Sequence, residues 1–472
     1  MNSGFFKSKD FLEFKVCKKH IENMLKINKR RFLLDGKKPF ACVKTYGCQQ
    51  NHNDSGKILG VLYKMGYGFC NDMCEADIII FNTCAVRENA ENKIYGNAGA
   101  LKQLKKKKPG VLLGICGCMT EQKHVLEIIE KKYKHIDFVF GTNLIHNLPE
   151  IIERSLKSRT FKVYKSSEII ENIPQKRSSF PVASVMIVQG CDNFCTYCIV
   201  PYVRGREISR EPGAIIFEIK ELAKNGYKEI ILLGQNVNSY GKNLGTKITF
   251  SELLENICKI DGIERIRFIS PHPKDVSDEL IKVISDNGKI CKQLHLPVQA
   301  GSNEILKRMN RKYTKEQYLS LVLKIREKIP NIAITTDVIV GFPGETNEDF
   351  DHTLDVIQKV RFDMIFSFLY SKRRGTPAFD MVDFLTSQEK QKNFNKLIEI
   401  QNKISRQKND AFLGKIVEVL VEGTSKSNMA MMFGRTDGGK IVNFGGGKEL
   451  IGKILNIKVI ETKTWYLIGK VC

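Results

Sequence analysis

The sequence GCDNFCTYCIVPYVRGR, residues 190–206, places three cysteines within eight residues. Cys191, Cys195 and Cys198 follow the apolar run 183–188, which predicts a buried strand that ends in a cysteine loop. A tetrahedral zinc site normally uses four ligands in two pairs, and this loop offers three cysteines and no nearby histidine. An iron-sulfur cluster fits the loop better, because three thiolates would leave one iron open for a further ligand.

The length, charge and cysteine content of the chain indicate how many domains it has and what kind of partner it binds. Its 472 residues exceed what one hydrophobic core usually serves, so we expect two or three domains. A net charge of +23 favours a polyanionic partner such as nucleic acid, although excess lysine can also serve solubility alone. Fourteen cysteines are too few for a disulfide scaffold and favour metal chemistry in a reducing cytoplasm. No apolar run approaches the roughly 18 residues that span a membrane, so we expect a cytoplasmic protein without a membrane partner.

The N-terminal third predicts an open α/β domain. Residues 1–37 are expected to be a basic extension whose charge is solvated, although such an arm could also contact RNA. Residues 38–153 alternate short apolar runs with helical segments. This alternation is typical of a Rossmann-like domain with a mainly parallel sheet. Residues 154–180 are polar and are expected to be a linker.

Three further cysteines each follow a predicted strand. Cys48, Cys84 and Cys118 would converge, because the carboxyl ends of parallel strands share one edge of an open sheet. They could then hold a second cluster with an open iron. The alternative is that each is a small buried hydrophobic residue, and the neighbouring Cys116 could replace Cys118 as the ligand.

The remainder of the chain predicts two barrels. Residues 181–410 contain six β and α units, which predicts a partial TIM-like (βα)6 barrel. Its chemistry is expected at the carboxyl ends of the strands, and the residues there are Cys191, Gln235, His272, Gln299 and Phe342. We interpret His272 and His295 as structural residues, or as residues that support a ligand-contacting side chain, rather than as catalytic residues. Residues 411–472 have short alternating strands and glycine-rich turns, which predict a small RNA-binding β-barrel or a structural appendage.

Specific motifs run through the chain from about residue 40. They are TYGCQQN at 45–51, NTCAVRENAENK at 82–93, GICGCMTEQ at 114–122, GCDNFCTYCIVPYVRGRE at 190–207, LLGQNVNSYG at 232–241, LHLPVQAGSNEILKRMNRKYT at 294–314 and TDVIVGFPGET at 336–346. Together they resemble the radical S-adenosylmethionine (SAM) methylthiotransferases. The resemblance implies a radical SAM domain in the central barrel, and the C-terminal barrel resembles a TRAM domain.

The resemblance implies two 4Fe-4S clusters and SAM as cofactors. Cys48, Cys84 and Cys118 would hold an auxiliary cluster, which decides for Cys118 over Cys116, and the ligands of the SAM-binding cluster would be Cys191, Cys195 and Cys198. The residues expected to contact SAM lie in the last three motifs and are Gln235, Ser302, Arg308 and Asp337. No side chain is assigned a direct catalytic role, because the cofactors perform the chemistry and the protein places them.

The sequences NTCAVRENAE and CTYCIVPYVRGRE resemble those of the methylthiotransferases that act on dimethylallyladenosine. The implied activity is methylthiolation of carbon 2 of N6-dimethylallyladenosine beside the anticodon of tRNA. The implied partners are the anticodon stem-loop and an electron donor such as a flavodoxin or a ferredoxin. One alternative is methylthiolation of threonylcarbamoyl-adenosine in tRNA. A different class is a non-catalytic iron-sulfur RNA-binding protein, which would not need the glycine-rich SAM-like motifs.

Overall fold

A computed structural model describes residues 18–85, 88–164, 168–177, 179–245, 248–426 and 428–472. The chain divides into two units. The first contains residues 1–178, 189–192 and 199–214, and the second contains residues 179–188, 193–198 and 215–472.

The first unit is built on a parallel sheet. Its strands are β1 (Phe40–Tyr46), β2 (Gly68–Phe69), β3 (Ile78–Thr83), β4 (Leu112–Gly117), β5 (Phe138–Phe140) and β6 (Thr160–Lys162). Its main helices are α1 (Lys18–Asp35), α2 (Gln49–Lys64), α3 (Glu88–Lys107), α4 (Lys123–Lys132) and α5 (Leu148–Ser155). The six strands lie in the order β2-β1-β3-β4-β5-β6, and each neighbouring pair is parallel. This is the open α/β architecture that the sequence predicts.

Both faces of this sheet are buried, which explains the continuous apolar runs in β3 and β4. Ile78 and Ile80 pack into one core with helix α2, whereas Ile79 and Phe81 pack into a second core with α3. Because successive side chains of a strand point to opposite faces, an uninterrupted apolar run is what a sheet covered by helices on both sides requires.

The structure differs from the expected basic extension. Its first 17 residues lie outside the described residues, but α1 packs on the first unit. Met24 is buried, His20 Nδ1 lies 2.6 Å from Glu153 Oε2, and the Asn28 amide donates a hydrogen bond to the backbone oxygen of Met65 at 2.9 Å. The high lysine and arginine content of this segment obscured one buried face of a helix.

The expected linker also contributes to the first unit. Thr160–Lys162 within it form β6, which pairs with β5 at the edge of the sheet. Further along, the Lys176 N–H donates to the Gly56 oxygen at 2.9 Å, and a Cβ at Gly60 would lie 2.1 Å from the Pro174 oxygen. The polar composition was misleading, because an edge strand and a segment packed by its backbone need few apolar side chains.

The following elements begin near residue 182 and lead into the central barrel. The strands are β7 (Val182–Met186), β8 (Val188–Gln189), β9 (Ile208–Ser209), β10 (Glu229–Leu233), β11 (Arg265–Phe268), β12 (Gln293–His295), β13 (Ala333–Val340) and β14 (Met364–Leu369). The helices are α6 (Val200–Arg204), α7 (Pro212–Lys224), α8 (Phe250–Cys258), α9 (Asp278–Asp286), α10 (Asn303–Arg308), α11 (Lys315–Lys328), α12 (Asn347–Val360) and α13 (Ser387–Asp410).

Six of these strands form the predicted (βα)6 barrel. One parallel sheet has the order β11-β10-β7, and the other has the order β12-β13-β14. A parallel bridge between Ile266 and Ile290 joins the two sheets. The strands enclose a core of aliphatic side chains shared with the surrounding helices. The expected fold class is therefore confirmed for this part of the chain.

The C-terminal segment forms a closed five-stranded barrel, as predicted. Its strands are β15 (Ile416–Thr424), β16 (Met431–Thr436), β17 (Ile441–Gly445), β18 (Ile454–Thr462) and β19 (Leu467–Val471). They close in the order β15-β16-β17-β19-β18 around a small apolar interior. Closure leaves no free sheet edge among these strands, which makes such a short segment stable as a barrel.

A buried ionic network joins the small barrel to the amino ends of the central strands, within the second unit. The Arg267 guanidinium donates to Glu229 Oε1 at 2.9 Å and to the Thr436 oxygen at 2.7 Å, and Glu229 is fully buried. Arg265 donates in the same way to the Arg435 oxygen at 2.7 Å. Buried charges are tolerated here because each has a partner of opposite charge or a carbonyl oxygen.

We expect Arg267→Ala to destabilise the second unit by about 3–5 kcal/mol. Glu229 would lose its hydrogen-bonded partner and keep a buried charge, with Arg435 Nη2 3.9 Å from Oε1. The midpoint of thermal unfolding should fall, and limited proteolysis should release the small barrel faster. The double variant Arg267→Leu with Glu229→Leu is the control, since it removes both charges. If the double variant unfolded at as low a temperature as Arg267→Ala, the unpaired charge of Glu229 would not be the cause of the instability.

Candidate functional site

The three N-terminal cysteines lie at one edge of the first sheet. The register aligns Tyr46 with Thr83 and Thr83 with Gly117, so β1, β3 and β4 end at the same level. Cys84 and Cys118 are the next residues after β3 and β4, and Cys48 is the residue before helix α2. The predicted convergence follows from this register, because each chain turns away from the sheet at the same height.

The thiols at this edge interact with one another. The Cys84 thiol hydrogen-bonds to the Cys48 sulfur and, together with nearby Arg204 and two backbone N–H groups of α2, lowers the pKa of Cys48 to about 5 against the effect of burial. Burial raises the pKa of the Cys118 thiol, although Arg204 opposes this shift. A thiolate at the start of a helix beside an arginine is suited to bind iron.

Arg204 at the end of α6 is the cation of this site. Its Nε donates to Cys118 Sγ at 3.1 Å, and its Nη2 donates to Asp54 Oδ2 at 2.8 Å. Both partners of the ion pair are buried, with side-chain exposures of 4% for Arg204 and 9% for Asp54. Ile199 belongs to the same buried apolar group as Cys118.

A buried amide network holds the loops that carry the cysteines. The Asn51 amide donates to Asn82 Oδ1 and to the Thr83 oxygen, both at 3.1 Å, and the Asn82 amide donates to the Asn51 oxygen at 2.8 Å. Gly117 has a φ of +103°, and a Cβ at this position would lie 2.3 Å from the Thr83 oxygen. The turn before Cys118 therefore requires glycine.

The structure separates Cys116 from Cys118. Cys116 is inside β4 and packs with Ile58 and other core residues under helix α2. Burial raises the pKa of the Cys116 thiol well above its usual value. Cys118 instead contacts Arg204 at the sheet edge. These contacts support Cys118 as the ligand that the resemblance implies.

With the two clusters that the resemblance implies, replacement of Cys118 by Ser should lower the bound iron of the purified protein to about half, because each cluster would depend on its own thiolates. Cys116→Ser is the matched control, and its iron content should equal that of the unmodified chain. Iron and sulfide assays on both variants decide the ligand. Loss of iron in the Cys116 variant alone would reverse the assignment.

The central cysteine loop is divided between the two units. In the first unit, the Cys191 N–H donates to the Gly205 oxygen at 3.3 Å, and Cys191 is buried. In the second unit, the Cys198 N–H donates to the Cys195 oxygen at 2.9 Å. Cys195 is buried, and Cys198 is half-buried. Each thiol therefore sits in a loop with a defined backbone conformation.

Residues of the segment 308–311 hold the part of this loop in the second unit. Phe194 has a positive φ of +48°, and the Asn310 amide donates to its oxygen at 2.9 Å. The Thr196 hydroxyl donates to the Arg308 oxygen at 2.8 Å. Arg311 is buried, and its Nη1 lies 3.5 Å from Cys195 Sγ. These bonds fix a backbone turn that a non-glycine residue adopts rarely.

The four residues expected to contact SAM have different environments. Gln235 follows β10, and its buried Oε1 has no hydrogen-bond partner among the residues that the structure describes. Asp337 lies in β13, with Oδ2 at 3.4 Å from His295 Nε2. Ser302 caps α10 and bonds to Asp349 Oδ1 at 2.5 Å. Arg308 is partly exposed and pairs with Glu304. Of the four, Gln235 has a buried side-chain oxygen without a hydrogen-bond partner among the described residues.

His272 and His295, which are not expected to be catalytic, each have a hydrogen-bond partner nearby. His272 Nδ1 accepts a hydrogen bond from the Lys274 N–H at 3.2 Å, and burial lowers its pKa to about 2. His295 Nδ1 lies 3.0 Å from Thr335 Oγ1. The expected strand-end residues Gln299 and Phe342 also have structural contacts. Gln299 extends the pairing along β13, and Phe342 packs in the core.

Strand β14 presents an apolar face that sequence reasoning missed. Phe366 and Phe368 are 46% and 48% exposed. In the register with β13, Phe366 is opposite Asp337, so both side chains point to the same face of the sheet. The Phe366 ring centre lies 5.7 Å from the ring centre of His295. Alternation in FSFL hinted at this face, but only the pairing with Asp337 locates it.

Within the described ranges, no group of three or more His, Cys, Asp or Glu side chains is arranged to hold a single metal ion. A cluster differs from a single ion, because each cysteine binds a different iron and the sulfurs lie further apart. The soft thiolate donor set at Cys48, Cys84 and Cys118 fits iron-sulfur chemistry. In the same described part of the chain, no helix combines the length and apolar character needed to cross a membrane.

Three known protein families match the three folded segments of this chain. Residues 185–357 match the Radical SAM superfamily, residues 41–141 match an uncharacterized family called UPF0004, and residues 410–472 match the TRAM domain. The radical S-adenosylmethionine methyltransferase TsrM from Kitasatospora setae, solved with cobalamin and a [4Fe-4S] cluster, has 14% identity and a TM-score of 0.52. That match covers 72% of this chain and 77% of that chain, and it supports the fold alone.

The fold and the matched domains define a radical SAM protein that carries a C-terminal TRAM domain. A relative from Acetivibrio thermocellus is 52% identical over 96% of this chain and 95% of its own length. A second from Thermoanaerobacter pseudethanolicus is 53% identical over 92% of this chain and 93% of its own. Both are named tRNA-2-methylthio-N(6)-dimethylallyladenosine synthase, and this chain belongs to their family.

Proposed function

We propose that this protein methylthiolates carbon 2 of N6-dimethylallyladenosine beside the anticodon of tRNA. The observation that carries the proposal is the alignment of Cys48, Cys84 and Cys118 at one sheet edge of a chain that also has the central cysteine loop. The name shared by the relatives supports the choice of nucleoside. A non-catalytic binding protein would not need two cysteine sets.

The proposal assigns two iron-sulfur clusters to the chain. Cys191, Cys195 and Cys198 hold one, and the residues that hold the auxiliary cluster are Cys48, Cys84 and Cys118. When bound, the first supplies the electron that cleaves SAM and the auxiliary one carries the sulfur for transfer. Every other contribution of the protein is placement, charge compensation and exclusion of water.

The side chains around the central loop have separate tasks in this proposal. Arg311 holds Cys195 through its guanidinium and is itself fixed by the Pro297 oxygen at 2.9 Å. Gln235 presents a buried carbonyl oxygen that suits the amino group of SAM. Asp337, Arg308 and Ser302 stay predicted SAM contacts, and the hydroxyl of Ser302 would have to exchange its bond to Asp349.

The apolar face of β14 suits the substituent of the proposed nucleoside. Phe366 and Phe368 point to the side of the sheet that also bears Asp337. The dimethylallyl group is an apolar five-carbon chain, whereas a threonylcarbamoyl group carries a carboxylate and a hydroxyl. Aromatic rings stabilise the former by burial and themselves offer no hydrogen bonds to the carboxylate and hydroxyl of the latter. This face therefore favours dimethylallyladenosine over the alternative substrate.

The substrate is a macromolecule with an exposed target base. Bases in single-stranded loops can be splayed out and stacked on side chains without melting a duplex. The net charge of +23 and the TRAM barrel both suit a polyanionic partner. An electron donor such as a flavodoxin or a ferredoxin and a location in the cytoplasm stay predictions.

The assignment is tested by mass spectrometry of tRNA nucleosides from a strain that lacks this protein. We expect dimethylallyladenosine to accumulate and its 2-methylthio derivative to disappear. The unmodified gene should restore the derivative, and a gene with Cys48, Cys84 and Cys118 changed to Ala should not. Persistence of the derivative, with loss of methylthiolated threonylcarbamoyl-adenosine instead, would establish the alternative substrate.

The aromatic face gives a separate expectation for specificity. Phe366→Ala removes a ring against which the dimethylallyl group would be buried. The loss of binding free energy should be about 1–2 kcal/mol, which corresponds to a roughly 5- to 30-fold rise in KM. Phe217→Ala is the control, because Phe217 is 59% exposed on helix α7. Steady-state assays with dimethylallylated tRNA measure both. An equal KM in the two variants would remove Phe366 from the substrate site.

A further inference from the structure

Arg204 has a contact that the assignment of cluster ligands does not explain. It is a charged side chain with 4% exposure, and two different groups of its guanidinium are used. Nη2 donates to Asp54 Oδ2 at 2.8 Å, and Nε donates to Cys118 Sγ at 3.1 Å. Nη2 of the guanidinium is thus bound to Asp54, while Nε is directed at a thiol proposed to bind iron.

The cost of burying this arginine indicates a purpose beyond stability. A buried ion pair is often no more stable than apolar residues of the same volume, because both charges lose their hydration. Ile199 and Val203 already supply apolar packing against Cys118 from the same short segment. An apolar residue in place of Arg204 would continue that packing. A retained positive charge instead compensates negative charge, and thiolates are the negative groups that Arg204 faces besides Asp54.

The position of Arg204 in the chain adds a second observation. It lies six residues after Cys198, inside the continuous motif that opens with Cys191. One short sequence therefore supplies three thiols of the central loop and the hydrogen-bond donor of the N-terminal cysteine set. The Gly205 oxygen, adjacent to Arg204, accepts from the Cys191 N–H at 3.3 Å. The backbone around Arg204 is thereby tied to the start of the same loop.

We propose that Arg204 is a positioning residue of the auxiliary cluster, and that its N–H bond to Cys118 raises the reduction potential of that cluster. This inference rests on the proposed function, because it needs iron bound by Cys48, Cys84 and Cys118. Hydrogen bonds to ligating sulfurs and local positive charge both favour the more reduced, more negative cluster. Asp54 has the supporting task of holding the guanidinium in its orientation.

The test uses the full chain with Cys191, Cys195 and Cys198 changed to Ala, so that only the auxiliary cluster contributes to the signal. In this background, Arg204→Gln and Arg204→Lys are compared with Arg206→Gln. Arg206 belongs to the same motif, but its side chain is 74% exposed. A redox titration followed by electron paramagnetic resonance gives the midpoint potential without tRNA or turnover.

We expect a more negative midpoint for Arg204→Gln, a smaller shift for Arg204→Lys, which keeps the charge, and no shift for Arg206→Gln. The double variant Asp54→Asn with Arg204→Gln removes both buried charges and guards against misfolding. Its metal-free form should melt at the same temperature as the parent. A lower potential in that variant, or loss of its iron with unchanged metal-free melting, supports the inference.

Two outcomes would overturn the proposed role of Arg204. An unchanged potential in Arg204→Gln would leave Arg204 as packing only. A lower melting temperature of the metal-free double variant together with loss of iron would make the pair structural. If instead the parent background binds no iron at all, the assignment of the auxiliary cluster fails, and with it this part of the proposed function.

Discussion

The common level at which β1, β3 and β4 end is the constraint on which the N-terminal site depends. Parallel pairing aligns Tyr46, Thr83 and Gly117, and the chain leaves the sheet directly after each of them. Cysteines more than 30 residues apart in sequence are thereby placed at one edge. The asparagine network and the positive φ of Gly117 then hold the loops, so the spacing of the thiols is inherited from the backbone of the sheet.

Buried charge is used in this protein where geometry has to be maintained. Arg204 pairs with Asp54 beside Cys118, and Arg267 pairs with Glu229 under the small barrel. Such pairs gain little stability relative to apolar residues, because desolvation offsets the attraction between the charges. Their directional hydrogen bonds, however, permit only one arrangement of the groups they join. The same feature therefore serves a proposed cofactor site in one place and domain docking in another.

The second unit organises its part of the cysteine loop from a distant motif. Asn310 and Arg311 bind the backbone of Phe194 and the thiol of Cys195, although more than 100 residues separate them in sequence. The aromatic face of β14 lies on the same sheet as Asp337, whose side chain points in the same direction. Residues proposed for cofactor and for substrate thus share one sheet, which places their relative positions under the control of strand register.

The sequence by itself determined the three fold types and the two sets of cysteines from which ligands are proposed, and the family resemblance chose Cys118 over Cys116. Apolar runs and residue spacing are local properties, so they can be recognised in the amino-acid sequence alone. The tertiary structure decided which polar residues are buried and what they face. Nothing local distinguishes buried Arg204 from exposed Arg206, and nothing local reveals that the supposed linker contains β6. Burial and strand pairing join residues far apart in sequence, and only the folded chain shows which ones meet.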